Sequence, residues 1–402
     1  MYPNLYFVFK DLFGVELPFL KLVNSFGFFV AMAFLVAGIF IQKEFRRLTD
    51  AGVFKPNQVK RLVGAPTSIL DITIQSLVGF LFGWKFLYLA INAGTIFNGT
   101  SLPQEHLFST EGSLLLGLLL ATLLGGWSWW EGKKNSLPTP EIKSFNIPPS
   151  EHIGAILTVA AVGGILGAKI FHFIEYPDQF ISFISSPSLN DFLGGLTIYG
   201  GLILGGISVW LYTRKMGFNF LAVADASAPS LMLGYGIGRI GCQVSGDGDW
   251  GIPNLSPQPG WLSWLPDWTW SYNFPNNVNK VIYDNKGNLV GRKWIEGDTW
   301  EAFSGYGTCL KEAVFPTSLY ETTMAVIIFI ILWQLRTRLK TAGMLFAAYL
   351  MFNGFERFWI EKIRVNVEIP SLGVTQAELI SVIIFLSGIG LFFFLKNKPQ
   401  KA

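Results

Sequence analysis

Nine runs of about 20 apolar residues punctuate this sequence, near 22–42, 72–95, 113–130, 151–174, 196–213, 222–243, 317–335, 341–360 and 373–395. About 20 residues is the length at which a helix crosses a bilayer's hydrocarbon core. Inside that core only helices and closed barrels satisfy their own backbone groups. The pattern therefore predicts an all-α polytopic membrane protein of about nine transmembrane helices. Composition agrees: of 402 residues 51% are hydrophobic and 14% charged, against about 25% charged in soluble domains. The formal charge of +3 is small, and no basic stripe interleaves with aromatics. A nucleic-acid partner is excluded on that ground.

The two cysteines stand apart, Cys242 in an apolar run and Cys309 in a polar loop, so neither a disulfide framework nor a thiolate metal site is expected. The three histidines, His106, His152 and His172, lack metal-ligand spacing, and no metal or other cofactor is expected. The N-terminal stretch has no basic region ahead of its apolar residues and no small-residue cleavage site. It does not read as a signal peptide, so the first span is expected to be retained.

Charge alternates between connections. Lys43, Arg46, Arg47, Lys55, Lys60 and Arg61 follow the first span, Lys133, Lys134 and Lys143 the third, Arg214 and Lys215 the fifth, Arg336, Arg338 and Lys340 the seventh, and Lys396, Lys398 and Lys401 the last. The connections 96–112 and 175–195 contain no Lys or Arg. The positive-inside rule puts the N-terminus outside and the C-terminus in the cytoplasm. The chain then divides into an outer N-terminal segment (1–21), six helices (22–243), an outer Trp-rich loop (244–316), and three helices with a cytoplasmic tail (317–402). Within the loop, Lys280 to Ile295 reads as two strands turning around Asp284-Asn285-Lys286-Gly287, a small β-hairpin. Trp261, Trp264, Trp268 and Trp270 crowd together just before it. They suit either a segment resting on the headgroup layer or a small aromatic core for the loop.

Four basic residues lie inside spans: Lys85, Lys169, Arg239 and Arg357. A charge at the bilayer centre costs at least about 2.5 kcal/mol, so such residues usually face the protein interior and mark function. Lys85 has no acidic neighbour on its helix and reads as a snorkelling side chain. The other three share a depth near the outer face. Tyr235, Arg239 and Cys242 end the sixth span there; Asn353, Arg357, Glu361 and Arg364 end the eighth; Lys169 and His172 end the fourth. Tyr199 begins the fifth span at the same face, and Ser318, Tyr320 and Glu321 begin the seventh. At about 100° per residue, Asn353, Arg357, Glu361 and Arg364 fall on one helix face. Planar guanidinium groups bind phosphate oxygens in pairs and stay charged when desolvated, so the arginines suit an anionic phosphate group. A buried Arg–Glu network that only fixes packing is the alternative. Gly234, Gly238 and Gly241 on the sixth span suit close backbone approach, and Asp247 and Asp249 follow its exit.

These residues resemble the prolipoprotein diacylglyceryl transferase family. Gly238-Arg239-Ile240-Gly241 matches the opening of its signature, Tyr199-Gly200-Gly201-Leu202 resembles its His-Gly-Gly-Leu, Phe315-Pro316-Thr317-Ser318-Leu319-Tyr320-Glu321 resembles its His-Pro-Ser-Gln-Leu-Tyr-Glu, and Arg357, Glu361 and Arg364 match Arg-x-x-x-Glu-x-x-Arg. The resemblance spans the first helix and about residue 150 onward, leaving helices two and three, about 70–130, as an inserted pair. It departs where Cys242 and Ser245 replace asparagines, Asp247 or Asp249 replaces a glutamate, Phe26 and Asn353 replace tyrosines, and Tyr199 replaces a histidine.

What the resemblance implies is transfer of the sn-1,2-diacylglyceryl group of phosphatidylglycerol to the lipobox cysteine of prolipoproteins, the first step of bacterial lipoprotein maturation, at the inner membrane. Its implied catalytic residues are Arg239, Arg357, Glu361, Tyr199 and His172. The implied substrate-binding set is Arg239, Arg357, Arg364, Lys169, Gly238, Gly241, Ser245, Asp247, Asp249, Tyr320, Glu321 and Asn353. Glu361, Glu321, Asp247, His172 and Tyr199 all remain open as the base. Binding or transport of an anionic lipid headgroup without chemistry is the rival function.

Overall fold

The computed structural model describes residues 1–397 apart from 97–105, 107–108, 186–194, 196, 247–248, 276, 278, 284–288, 295–309, 311, 367 and 370–371. Each of the nine apolar runs carries a helix. A short helix α1 (Leu5–Phe13) precedes α2 (Ser25–Asp50), α3 (Ile69–Ile91), α4 (Leu114–Asn135) and α5 (Ile153–Glu175). The short α6 (Pro177–Ser185) leads to α7 (Ile198–Lys215) and α8 (Phe220–Ser245), and α9 (Thr317–Leu335), α10 (Met344–Glu361) and α11 (Gln376–Lys396) close the chain. Among the described residues seven helices are long and apolar enough to cross a membrane. The two outside that set, α7 and α10, have 18 residues each; α7 ends on Arg214-Lys215, and α10 carries Glu356, Arg357 and Glu361. The chain is a multi-pass membrane protein, and its helices keep large apolar side chains outward, such as Leu115 at 75% and Ile69 at 84% exposure, as a hydrocarbon solvent permits.

Small residues set how closely the helices pack. A Cβ on Gly167 of α5 would run into the carbonyl oxygen of Gly200 on α7, so those two backbones cross in contact. On α8, Gly241 faces Phe26 and Phe29 of α2, and Gly236 faces Ala325 of α9. Of the three glycines expected to permit close approach, only Gly241 is tight: Gly234 has ordinary contacts, and Gly238 faces open space. Asp225 of α8 accepts the N–H groups of Gly343 and Phe346, both at 2.7 Å. It thereby satisfies orphan donors at the start of α10 and ties that helix to α8.

Helices α3 and α4 pack on each other and are bracketed by two strands, β1 (Asn57–Val63) and β2 (Glu141–Ile147). The strands pair antiparallel from Asn57↔Ile147 to Val63↔Glu141, so the chain leaves and re-enters the body side by side. Lys85 is a correction to the snorkelling expectation. It is 6% exposed, donating to the carbonyl oxygens of Ser109 (2.6 Å) and Glu111 (2.5 Å) and to Ser109 Oγ (3.1 Å). Its partners are carbonyls of the following connection, which a search for acidic neighbours on one helix does not find.

The long loop between α8 and α9 contains β3 (Asn279–Tyr283) paired antiparallel with β4 (Leu289–Trp294), the expected hairpin; its tip lies outside the described residues. The loop has a small core, built by Trp250, Phe274, Leu310 and Val314. Trp261 and Trp264 stay outside it, 75% and 77% exposed. Cys309 lies outside the described residues.

Candidate active site

The C-terminal ends of α8 and α10 meet the N-terminal ends of α9 and α11 in one layer. Arg239 comes from the last two turns of α8, where Cys242 follows one turn on; Gly246, at φ +65°, then stops the helix. That left-handed conformation favours glycine. Beyond it the chain bends back as a strap. Gly251 N–H donates to Phe315 O and Ile252 N–H to Ile363 O, both at 2.8 Å. A Cβ on Gly251 would crowd the Ile363 carbonyl oxygen and Phe315. Thr317 at the start of α9 donates to the Asp249 carbonyl (2.7 Å). The strap thus carries Asp249 over the helix ends.

Glu321, fully buried one turn into α9, is the centre. It pairs with Arg239 Nε (2.9 Å), Arg357 Nη1 (2.9 Å) and Arg364 Nη1 (3.2 Å). Asp249 bridges Arg239 and Arg364 from the strap. Glu361 completes the set, 3.1 Å from Arg357 Nη2, and accepts from Asn366 Nδ2 (2.5 Å) and Thr375 Oγ1 (2.9 Å). Three guanidinium groups therefore meet three carboxylates. Placing Glu321 in the first turns of α9 also suits the positive end of that helix. Arg239 stacks over Tyr235 at 5.2 Å from the ring centre. Of the three carboxylates, Asp249 keeps 17% of its side chain exposed and Glu321 and Glu361 none. A polar cavity of about 320 Å³ opens beside them, lined by Glu361, Arg364, Asn366, Thr375, Lys362 and Glu378. Glu378 closes a capping box with Thr375 at the head of α11 and pairs with Lys362 at 2.5 Å.

Arg239, Arg357, Arg364, Glu321, Glu361 and Asp249 are brought together. Tyr199 lies within electrostatic reach of Arg357, Glu361 and Arg364. Other expected site residues take different partners. His172 Nε2 meets Gln179 Oε1 (2.8 Å) and the ring packs near Tyr176. Lys169 is buried with its ammonium 4.4 Å from the Phe173 ring centre. Tyr320 donates to Thr269 O (3.0 Å), pinning the Trp-rich segment to α9. Asn353 contacts Met232 sulfur at 3.9 Å, one turn inward of Arg357. Ser245 Oγ is buried without a hydrogen-bond partner among the described residues. Asp247 lies outside the described residues. Cys242 donates to Asp249 (3.4 Å) and sits 3.7 Å from Arg239 Nη1. Sequence reasoning passed over Glu356, buried at 2% exposure beside Arg357; counting acidic as well as basic residues inside spans would have found it.

Residues 112–394 match the family model described as prolipoprotein diacylglyceryl transferase. The matched stretch takes in α4 and the whole of α5 to α10. Curated proteins named phosphatidylglycerol–prolipoprotein diacylglyceryl transferase are similar to the chain. One from Bifidobacterium adolescentis is 28% identical over 60% of this chain and 65% of its own length. One from Leptospira interrogans is 28% identical over 65% of this chain and 84% of its own, and one from Bifidobacterium longum 31% over 58% and 66%.

Proposed function

This chain belongs to the prolipoprotein diacylglyceryl transferase family, and from that premise we propose that it moves the sn-1,2-diacylglyceryl group of phosphatidylglycerol onto the lipobox cysteine thiol of a prolipoprotein. The substrate sulfur, as thiolate, attacks the glyceryl carbon bonded to the phosphate oxygen. The carbon–oxygen bond breaks, a thioether forms, and glycerol phosphate leaves with the electron pair. Negative charge grows on the phosphate as it departs. Arg239 and Arg357 stabilise that charge where it develops, with Arg364 behind them. The convergence of three arginines on the buried Glu321 is the observation that carries this reading.

The phosphate's place is now held by carboxylates, and Asp249 is the one that yields. It reaches the arginines from a strap, not from a helix, and it alone of the three keeps side-chain exposure. A phosphate can replace its two ion pairs with two of its own. The nucleophile is the substrate's, so the protein supplies cations and a base; Glu321 and Glu361, paired with the same arginines, are the carboxylates placed closest to that chemistry. The reaction is proposed for the outer leaflet of a bacterial inner membrane, with the N-terminus outside.

The test is purified protein in detergent with phosphatidylglycerol and a lipobox peptide. A peptide mass increased by one diacylglyceryl group is expected. Folded protein that binds the lipid and leaves the peptide unmodified would favour a lipid binder. The full pairing of the arginines favours a second reading, a packing network; it predicts that Arg239→Ala unfolds the protein instead of silencing it.

A further inference from the structure

The chain from Asn254 to Ser271 is closed on itself by hydrogen bonds. Asn254 Nδ2 donates to Trp270 O (2.8 Å), Ser271 Oγ to Asn254 O (2.7 Å) and Trp270 Nε1 to Ser256 O (3.0 Å). Gln258 Nε2 donates across the middle to Leu262 O and Leu265 O. The frame is therefore held by its own polar groups, and it leaves Trp261, Trp264 and Trp268 exposed, the last at 44%. With about 150–250 Å² per aromatic side chain, the three rings present on the order of 400 Å² of mostly apolar surface, the scale at which such a patch marks an interaction surface. Tyr320 Oη donates to Thr269 O (3.0 Å), which fastens the frame to the first turn of α9. At about 100° per residue Tyr320 shares a helix face with Thr323, Ile327 and Ile330, and those three are exposed. The frame thus hangs at the end of the strip that α9, a membrane-crossing helix, turns to lipid.

We propose that, whatever group the arginines bind, Trp261, Trp264 and Trp268 insert into the headgroup layer of the bilayer, the partner being the lipid surface itself. Indole rings collect at that depth because the ring leaves water while its N–H keeps polar company. Charge points the same way. Between Trp250 and Asn279 the only charged side chain is Asp267, so a protein recognised through charge finds little to pair with, whereas a lipid surface asks only for amphipathic rings. The anchoring also sets a depth. Tyr320 directly precedes Glu321, on which Arg239, Arg357 and Arg364 converge. A frame seated among headgroups holds that cluster near the level of the lipid phosphates, so an anionic headgroup meets the arginines at its own depth.

The experiment is spin labelling of the full chain in nanodiscs of phosphatidylglycerol and phosphatidylcholine, on a Cys309→Ser background in which the buried Cys242 serves as the unlabelled blank. Trp261→Cys and Trp264→Cys carry the test labels. Lys55→Cys, exposed in a connection, is the water reference, and Leu123→Cys, exposed midway along α4, is the hydrocarbon reference. Power saturation reads collisions with oxygen, which concentrates in lipid, and with a water-soluble nickel chelate. Both test labels should fall between the references, having lost most of the nickel collision that Lys55→Cys shows. Values matching either reference overturn the inference. Loss of nickel and oxygen collision together also overturns it, because protein then covers the rings; spin–spin broadening that dilution with unlabelled chain removes would identify that cover as a second copy. A second measurement keeps the native rings. Tryptophan emission is quenched with lipids brominated near the ester end or near the methyl end, in wild type and in the double variant Trp261→Phe, Trp264→Phe. The emission lost in the double variant should be quenched more by bromines near the ester end; emission untouched by either lipid, or quenched more from the methyl end, overturns the inference.

Discussion

Arg239, Arg357 and Arg364 are held by carboxylates in the resting arrangement, and their individual weights follow from how replaceable each partner is. Arg357 joins Glu321 to Glu361 and Arg239 joins Glu321 to Asp249. On the proposed reading Arg239→Ala and Arg357→Ala each lower transfer by at least about a hundredfold, the scale of losing one preorganised charge donor, while the protein still inserts and purifies as wild type. Transfer within tenfold of wild type in either variant would break the phosphate assignment. Arg357→Lys should recover little, because a point charge cannot span two carboxylates as a fork does. Asp249 behaves oppositely. Asp249→Asn removes the competitor for the phosphate, so phosphatidylglycerol should raise the variant's thermal midpoint by more than it raises that of wild type. An equal or smaller lipid-induced shift would show that Asp249 does not occupy the phosphate's place.

The α5–α7 crossing offers a clean contrast at the scale of elements. Gly167→Ala drives a methyl into the Gly200 carbonyl oxygen, whereas the same methyl at Gly164 meets the Gly201 oxygen at 3.7 Å, an ordinary contact. The first should destabilise by about 1–3 kcal/mol and the second by much less, as read by thermal unfolding in detergent; equal effects would contradict the packing described. The elements were legible because apolar run length is a one-dimensional signal, and all nine runs became helices. The face of α10 was legible too, since Arg357 and Glu361 are one turn apart. Partners supplied by loops were not legible. Asp249 reaches Arg239 only because the strap bends back through Gly251, and Lys85 finds carbonyls across a connection. His172 and Lys169 stand at the right depth, yet they turn to Gln179 and Phe173, a matter of rotation that depth does not encode.

Across the whole molecule, two statements can be checked. The proposed orientation puts Leu255 outside and Lys133 in the cytoplasm; cysteines introduced there should be labelled by a membrane-impermeant reagent in intact cells at 255 only, and the reverse result would invert the topology. The β1–β2 ribbon brings Val63 and Glu141 opposite each other, so α3 and α4 form a unit joined to the body by that ribbon and, at the other end, by packing of residues 88–96 on Pro18–Leu22. Replacing 64–140 with a two-residue Asn-Gly turn should leave the remaining helices folded, with lipid binding retained; collapse of expression would show that the pair is integral to the body. Asp249 carries the further consequence. On the proposed reading, being tethered to the site it vacates, it competes with any bound anion at an effective concentration set by a few residues of strap. The site then works as an ion exchanger whose resting counter-ion never diffuses away. On that reading donor capture would be weakened by the competition and spent glycerol phosphate expelled by the same carboxylate, so turnover and affinity would trade against each other through the length of one short strap.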